Sequence, residues 1–151
     1  MTKQVIGLGD SSAQIKVYLE HRPPLEPYLS LRHLHALTQG EIADIAKQTG
    51  NHWRKIFNVY AKFIYQLEQP NFTRWQDYRD QMLLAENSKT ALLFTSPSIK
   101  SIAQQKADSI HIIMGKTYAT KLGISEHCHW LSQDFSIHPE LKLIICPYFD
   151  Y

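Results

Sequence analysis

Three short apolar runs constrain this chain more than any other feature: "ALLF" at 91–94, "IHIIM" at 110–114 and "LKLIIC" at 141–146. Each is almost unbroken and bounded by Ser, Gly or Pro. A strand with one wet face alternates apolar and polar residues, so an unbroken run suits a strand covered on both faces, as in parallel sheets. The intervening stretches, "SIKSIAQQKAD" and "KTYATKLGI", are each long enough for a short crossover helix. Strand, helix, strand, helix, strand is the order of a right-handed α/β unit.

The first half reads differently. "MTKQVIGLGDSS" is turn-rich, a loose arm or the start of a strand. In "IKVYL", Ile15, Val17 and Leu19 alternate with Lys16 and Tyr18, which predicts a strand with one wet face, at an edge of the sheet. "HRPPLEP" stops it, because prolines cannot continue a ladder. Pro27 is placed to open a helix through "YLSLRHLHAL", and a second helix begins near Gly40 and stops at Thr49-Gly50-Asn51. Trp53, Ile56, Phe57, Tyr60, Ile64 and Leu67 then form one apolar stripe at helical spacing, with Arg54, Asn58 and Lys62 on another face. Pro70 ends that helix. Thr73 with Gln76 predicts a capping box, opening a helix that turns Trp75, Tyr78 and Met82 inward. The fold class expected is α/β, three-layer, with a mostly parallel sheet and a helix-rich N-terminal half, in one domain over 1–151.

Length agrees, since 151 residues suit one ordinary domain. Sixteen basic against fourteen acidic residues give a net charge of +2, too small to argue for nucleic acid by itself. Two cysteines, Cys128 and Cys146, cannot make a secreted disulfide framework, and both sit in apolar surroundings that suit reduced, buried thiols. No apolar stretch approaches the roughly 18 residues needed to span a bilayer, and no signal-peptide pattern opens the chain. The expectation is a cytoplasmic protein without membrane contact.

In an open parallel sheet, ligands bind beyond the carboxyl ends of the strands. Here those ends are Thr95-Ser96-Pro97-Ser98, Gly115-Lys116-Thr117 and Pro147-Tyr148-Phe149-Asp150-Tyr151. They gather on one rim if the three strands are parallel. Gly-Lys-Thr invites comparison with a phosphate loop, but that loop needs a glycine five residues earlier, where Ile110 stands. What remains is a helix start whose free N–H groups, with Lys116, suit an anion; the plainer reading is a tight turn and a solvated lysine. Ser96 and Ser98 have the same two readings, caps of the next helix first and ligand contacts second.

Other chemistries find less support. His127 and His129 would project to one side of an extended segment, yet no Cys-x-x-Cys or His-x-x-x-His pair accompanies them, so no metal or cofactor is implied. His111, within an apolar run, reads as a satisfied core histidine. "TSPS" is not a nucleophile elbow, and Asp134 and Asp150 have no persuasive acid–base partner. Lys47, His52, Arg54, Lys55 and Lys62 make a modest basic face that also reads as a solvated helix side.

The pattern "LLFTSP", "IHIIMGKTYATKLG", "HPELKLIICPYFDY" resembles the second half of the uracil-DNA glycosylase superfamily. Gly115 and Ala119 are similar to its strand-to-helix turn, with one extra residue between, and His138-Pro139 resembles its late His-Pro motif. In this chain His-Pro precedes the last apolar run, and "GLGDSS" does not match the superfamily's water-activating Gly-Gln-Asp-Pro-Tyr loop. The resemblance covers residues 90–151 and implies a three-layer α/β fold more than base excision; no catalytic role is carried over.

Two functional expectations follow. One is binding of a phosphate-bearing ligand, a nucleotide or nucleic acid, at the carboxyl end of the sheet, with Ser96, Ser98, Gly115, Lys116, Thr117, Tyr148 and Asp150 as its contacts. The other is an interaction protein without chemistry, acting as a homodimer or subunit, since eight tyrosines, three tryptophans and the ending "PYFDY" supply aromatic anchors.

Overall fold

The computed structural model describes residues 4–149. Its strands are β1 (Gly7–Gly9), β2 (Ile15–Tyr18), β3 (Leu34–His35), β4 (Thr90–Leu93), β5 (Ile110–Met114), β6 (His129–Trp130), β7 (Ser136–Ile137) and β8 (Leu143–Cys146). Its helices are α1 (Glu41–Thr49), α2 (Asn51–Glu68), α3 (Trp75–Gln81), α4 (Ile99–Ala103) and α5 (Lys116–Lys121). The strands form one sheet in the order β3-β1-β4-β2-β5-β8-β7-β6.

The three apolar runs are parallel, as expected, but β2 lies between the first two of them. The four strands β4-β2-β5-β8 are mutually parallel. Outside them, β1 runs antiparallel to β4, and β7 antiparallel to both β8 and β6. The sheet is therefore mixed, which corrects the expectation of a mostly parallel one. Short antiparallel strands were hidden because β1 is a Gly-Leu-Gly triplet and β6 and β7 are two residues each, too short to show a period. The glycines of β1 have a steric reason: a Cβ at either would collide with the backbone of β4, Leu92–Leu93 or Thr90–Ala91. Leu8 between them is fully buried.

The reading of "IKVYL" is half right. Ile15, Val17 and Leu19 do share one apolar face. The strand is central, however, and its other face is covered: Tyr18 is buried and Lys16 half-buried.

The helix expected over 28–37 is absent. A 3₁₀ turn at Tyr28–Ser30 is followed by β3 pairing with β1. Two charged side chains organise this segment in place of a helical ladder. The Arg22 guanidinium donates to the carbonyls of Tyr28, Leu29 and Leu31 at 2.9–3.1 Å. The Glu41 carboxylate accepts from the Tyr28 hydroxyl (2.5 Å) and the Thr38 N–H (3.0 Å), and contacts His35 Nε2 at 2.8 Å. Burial alone would raise the Glu41 carboxyl, but the bonds from Tyr28, Thr38 and His35 hold it below its usual range.

From residue 41 the helices agree with their signals. Gly50 separates α1 from α2, and Trp53, Ile56, Phe57, Tyr60 and Ile64 are buried, while Leu67 at the far end is half-exposed. The capping box at Thr73 does not form: α3 starts after Arg74, whose guanidinium instead reaches Asp77 at 3.2 Å. Tyr78 is buried, with Trp75 and Met82 packed beside it.

Alternation along the central strands sends side chains into two separate clusters. Ile15, Val17, Leu92, Ile112 and Met114 join the buried residues of α1–α3. Tyr18, Ala91, Leu93, Ile113 and Ile145 join Ile102 of α4 and Tyr118 and Ala119 of α5. The helices thus lie on both faces of the sheet.

Candidate functional site

The carboxyl ends of β4, β2, β5 and β8 form one rim. Sequence reasoning found three of its four segments and missed the central one, Leu19-Glu20-His21-Arg22, because β2 was read as an edge. After β2 the chain passes to the α1–α3 face, and after β5 to the α5 face. Adjacent parallel strands that hand the chain to opposite faces open a crevice at their carboxyl ends. Glu20 stands there, its carboxylate 2.9 Å from Lys121 Nζ and 3.9 Å from His21 Nε2.

Gly115 precedes α5 with φ +108°, a conformation that side chains rarely adopt. Among the described residues a Cβ there would meet the Tyr148 ring alone, at 3.7 Å, so the backbone angle and not crowding calls for glycine. Tyr148 stacks on His52 with ring centroids 5.4 Å apart, which occupies one of its faces. Lys116 is exposed, donates to the Gln133 carbonyl at 3.3 Å and lies 5.1 Å from the Trp130 ring centroid. It is drawn toward the β6–β7 hairpin. Thr117 is exposed.

Ser98 caps α4: its hydroxyl accepts from Ser101 N–H at 3.1 Å, and the Ser101 hydroxyl accepts from Ser98 N–H at 3.0 Å. That is the plainer of its two readings. Ser96 is exposed beside the Tyr118 hydroxyl. The structure thus joins Gly115 to Tyr148 and engages Lys116 and Ser98 elsewhere. Asp150 and Tyr151 lie outside the described residues.

Two members of the basic face noted in the sequence, Lys47 and Arg54, border a groove; His52, Lys55 and Lys62 do not line it. Lys47 from α1, Arg54 and Asn58 from α2 and Arg79 from α3 line a concavity of about 180 Å³ floored by Ile42, Ala46 and Phe57. Arg79 donates to Asn58 Oδ1 at 2.8 Å and pairs with Asp80 at 2.8 Å. Its guanidinium lies 5.3 Å from the Trp75 centroid, and Lys62 Nζ lies 4.8 Å from the same ring. Arg54 meets Asn51 Oδ1 at 3.1 Å. Among the described residues no carboxylate pairs with Lys47 or Arg54. Arg79 escaped the sequence reading because α3 was read only for its inward face. The stacking of His52 on Tyr148 ties the first turn of α2, which carries Arg54 and Lys55, to the rim beside Gly115.

Reactive groups are scarce. Cys146 is buried and its thiol is pushed up to about 12 by burial, and burial raises the half-buried Cys128 as well. Both are poor nucleophiles. Among the described residues no group of three or more His, Cys, Asp or Glu is placed to hold a metal ion. Asp10 is buried, and its two carboxylate oxygens accept the backbone N–H groups of Ser12 (3.1 Å) and Lys89 (2.9 Å), a structural use. His138 Nδ1 accepts the N–H groups of Glu140 and Leu141, each at 3.0 Å. It precedes β8 at the amino end, opposite the rim that carries Gly115. No helix among the described residues is long and apolar enough to cross a membrane.

No curated protein and no solved structure matches the chain. One family's model matches residues 6–151, nearly the whole length, and on that match this protein belongs to the DUF6942 family, a family of unknown function.

Proposed function

We propose that this protein binds a phosphate-bearing ligand, a nucleotide or a nucleic acid strand, across the rim and the adjoining basic groove. The observation that carries this reading is the convergence of Lys47, Arg54 and Arg79, from three helices, on one concavity in which two of the cations lack a carboxylate partner among the described residues. Separated cations around a shallow apolar floor suit a phosphodiester better than a planar carboxylate partner would. Trp75 and the His52–Tyr148 stack add flat surfaces near the same helices, and such rings accept bases without reading their sequence. Lys116, Thr117 and Ser96 extend the polar surface along the rim.

The test is fluorescence anisotropy with labelled single- and double-stranded oligonucleotides, alongside thermal shifts with mono- and trinucleotides. With about three phosphate contacts, log K should fall against log salt with a slope of roughly −2 to −3. Lys47→Ala with Arg54→Ala should weaken binding by roughly tenfold or more at low salt, and Lys116→Ala should report whether the rim takes part. No binding at low salt, or binding untouched by all three substitutions, ends the proposal.

A second reading, an assembly of identical chains, is favoured by one specific surface. The β6–β7 hairpin closes one side of the sheet and exposes Trp130 (40%), Leu131 (67%), Phe135 (47%) and Ile137 (37%). β6 is an edge strand, and two identical edges related by a twofold axis pair with each other. Light scattering at micromolar concentration should give twice the chain mass, and Leu131→Lys should return it to the monomer value. A monomeric mass for the unaltered protein refutes this reading.

A further inference from the structure

A second concavity lies under α4, at the amino ends of β5 and β8 and so at the opposite end of the sheet from the rim. It measures about 180 Å³, and Gln105, Lys106, Ser109, His111, Glu140 and Lys142 supply its polar lining. That volume is below the roughly 300–1,000 Å³ of sites for larger organic ligands. Two of the lining residues are more than nine-tenths buried, His111 at 2% exposure and Ser109 at 5%. Neither the His111 Nε2 nor the Ser109 hydroxyl has a hydrogen-bond partner among the described residues, and neither atom is sealed from solvent.

A chain of polar contacts lies behind the pocket and backs the imidazole. Register places Lys16 beside His111 on the neighbouring strand. The Lys16 ammonium, a donor only, holds Gln105 Oε1. This orientation leaves the Gln105 amide nitrogen to donate to the Ser101 carbonyl at 3.3 Å, with the Tyr18 hydroxyl nearby. The Tyr18 hydroxyl lies 2.8 Å from His111 Nδ1, where its proton finds an acceptor if the ring carries its own proton on Nε2. A neutral ring that accepts at Nδ1 carries its proton on Nε2, facing the pocket. Burial, with Lys16 beside it, lowers the His111 pKa to about 4, so the ring is neutral near pH 7.

We infer that this pocket binds a small oxyanion, a single phosphate or a short carboxylate, which accepts from His111 Nε2–H and the Ser109 hydroxyl while Lys106 and Lys142 neutralise its charge. Glu140 at the same mouth sets the limit: with two lysines against one carboxylate, the pocket favours one or two negative charges and not a polyanion. It is separate from the basic groove and does not depend on it.

The experiment is NMR of the full chain with ¹⁵N-labelled histidine, titrated with inorganic phosphate, acetate and succinate up to about 20 mM, which reads dissociation constants down to the weak millimolar range. His111→Gln assigns the resonance. Free protein should show the Nε2–H tautomer, and Tyr18→Phe should mix the tautomers. A saturable shift at His111 is expected, weakened roughly tenfold or more by Ser109→Ala and by Lys106→Ala with Lys142→Ala, and unaffected by Lys47→Ala with Arg54→Ala. A response to phosphate alone identifies a phosphate or phosphate ester, one to carboxylates alone a short organic acid, and one to both an oxyanion site of either kind. An Nδ1–H tautomer in the free protein, no shift with any probe, or a shift undiminished without the two lysines overturns the inference.

Discussion

The two faces of the central sheet are made by alternate residues of the same four strands, yet they differ in kind. Toward α1–α3 the strands present Ile15, Val17, Leu92, Ile112 and Met114, and these meet the Trp53, Ile56, Phe57 and Ile64 side of α2. The fully buried Tyr60 there donates its hydroxyl to the Ala91 carbonyl at 2.9 Å. Toward α4 and α5 the same strands place Lys16, Tyr18 and His111 among Leu93, Ile113 and Ile145. One face is a largely apolar core covered by α1–α3, with the long amphipathic α2 supplying most of its helical side chains. The other is covered by two short helices, and a buried polar chain ending in an open pocket interrupts it. A polar group in such a position is costly unless bonded, and there Lys16 bonds to Gln105 and Tyr18 to His111.

Truncation on the apolar face should break the comparison most strongly. Phe57 is fully buried against this face, and Phe57→Ala should cost about 3–5 kcal/mol in chemical denaturation. A cost below about 1 kcal/mol would mean that the α2 layer is not the stabilising one.

Acid should distinguish the other face. His111 has a folded pKa of about 4 against 6.5 when free. Above pH 6.5 both states are neutral and the group has no effect. As the pH falls below 6.5 the unfolded chain takes up the proton first, so stability drops until about pH 4 and levels off there. The whole loss is roughly 3 kcal/mol. In His111→Gln this part of the pH profile should flatten, while Phe57→Ala should keep it.

Tyr18→Phe leaves the His111 Nδ1 without its hydrogen-bond partner inside the sheet and should cost about 1–3 kcal/mol by thermal or denaturant unfolding. Ser98→Ala removes the cap of α4, the helix over the pocket, and should cost about 1 kcal/mol. The smallest effect is expected at the rim: Lys116→Ala, on an exposed side chain, should leave stability within about 0.5 kcal/mol. A larger loss there would make its contact with Trp130 structural.

How legible these regions were follows from physical range. The α2 stripe was readable because every member lies within one helix and repeats at 3.6 residues. The three apolar runs were readable because covering a strand on both faces removes its alternation. Arg22 and Glu41, by contrast, fix the 28–38 segment through contacts that no local pattern encodes, and "YLSLRHLHAL" therefore looked helical. The basic face was half legible: Arg54 and Lys62 share a helix, but Arg79 joins them only through the packing of α3 on α2. Gln105 and Ser109 carried no signal, since a polar residue in a loop is unremarkable until a strand ends beneath it.

By itself the sequence determined that the chain is α/β, where the parallel strands lie, that α2 would be amphipathic, and that Gly115 would mark a strand-to-helix turn, because backbone preference and hydrophobic period act over a few residues. Tertiary structure alone decided that β2 sits in the middle of the sheet, that β1, β6 and β7 make it mixed, and that Lys16, Tyr18, Gln105 and His111 meet. Strand order and side-chain convergence depend on which distant segments exclude water from one another, and that free energy belongs to the assembled chain and not to any stretch of it.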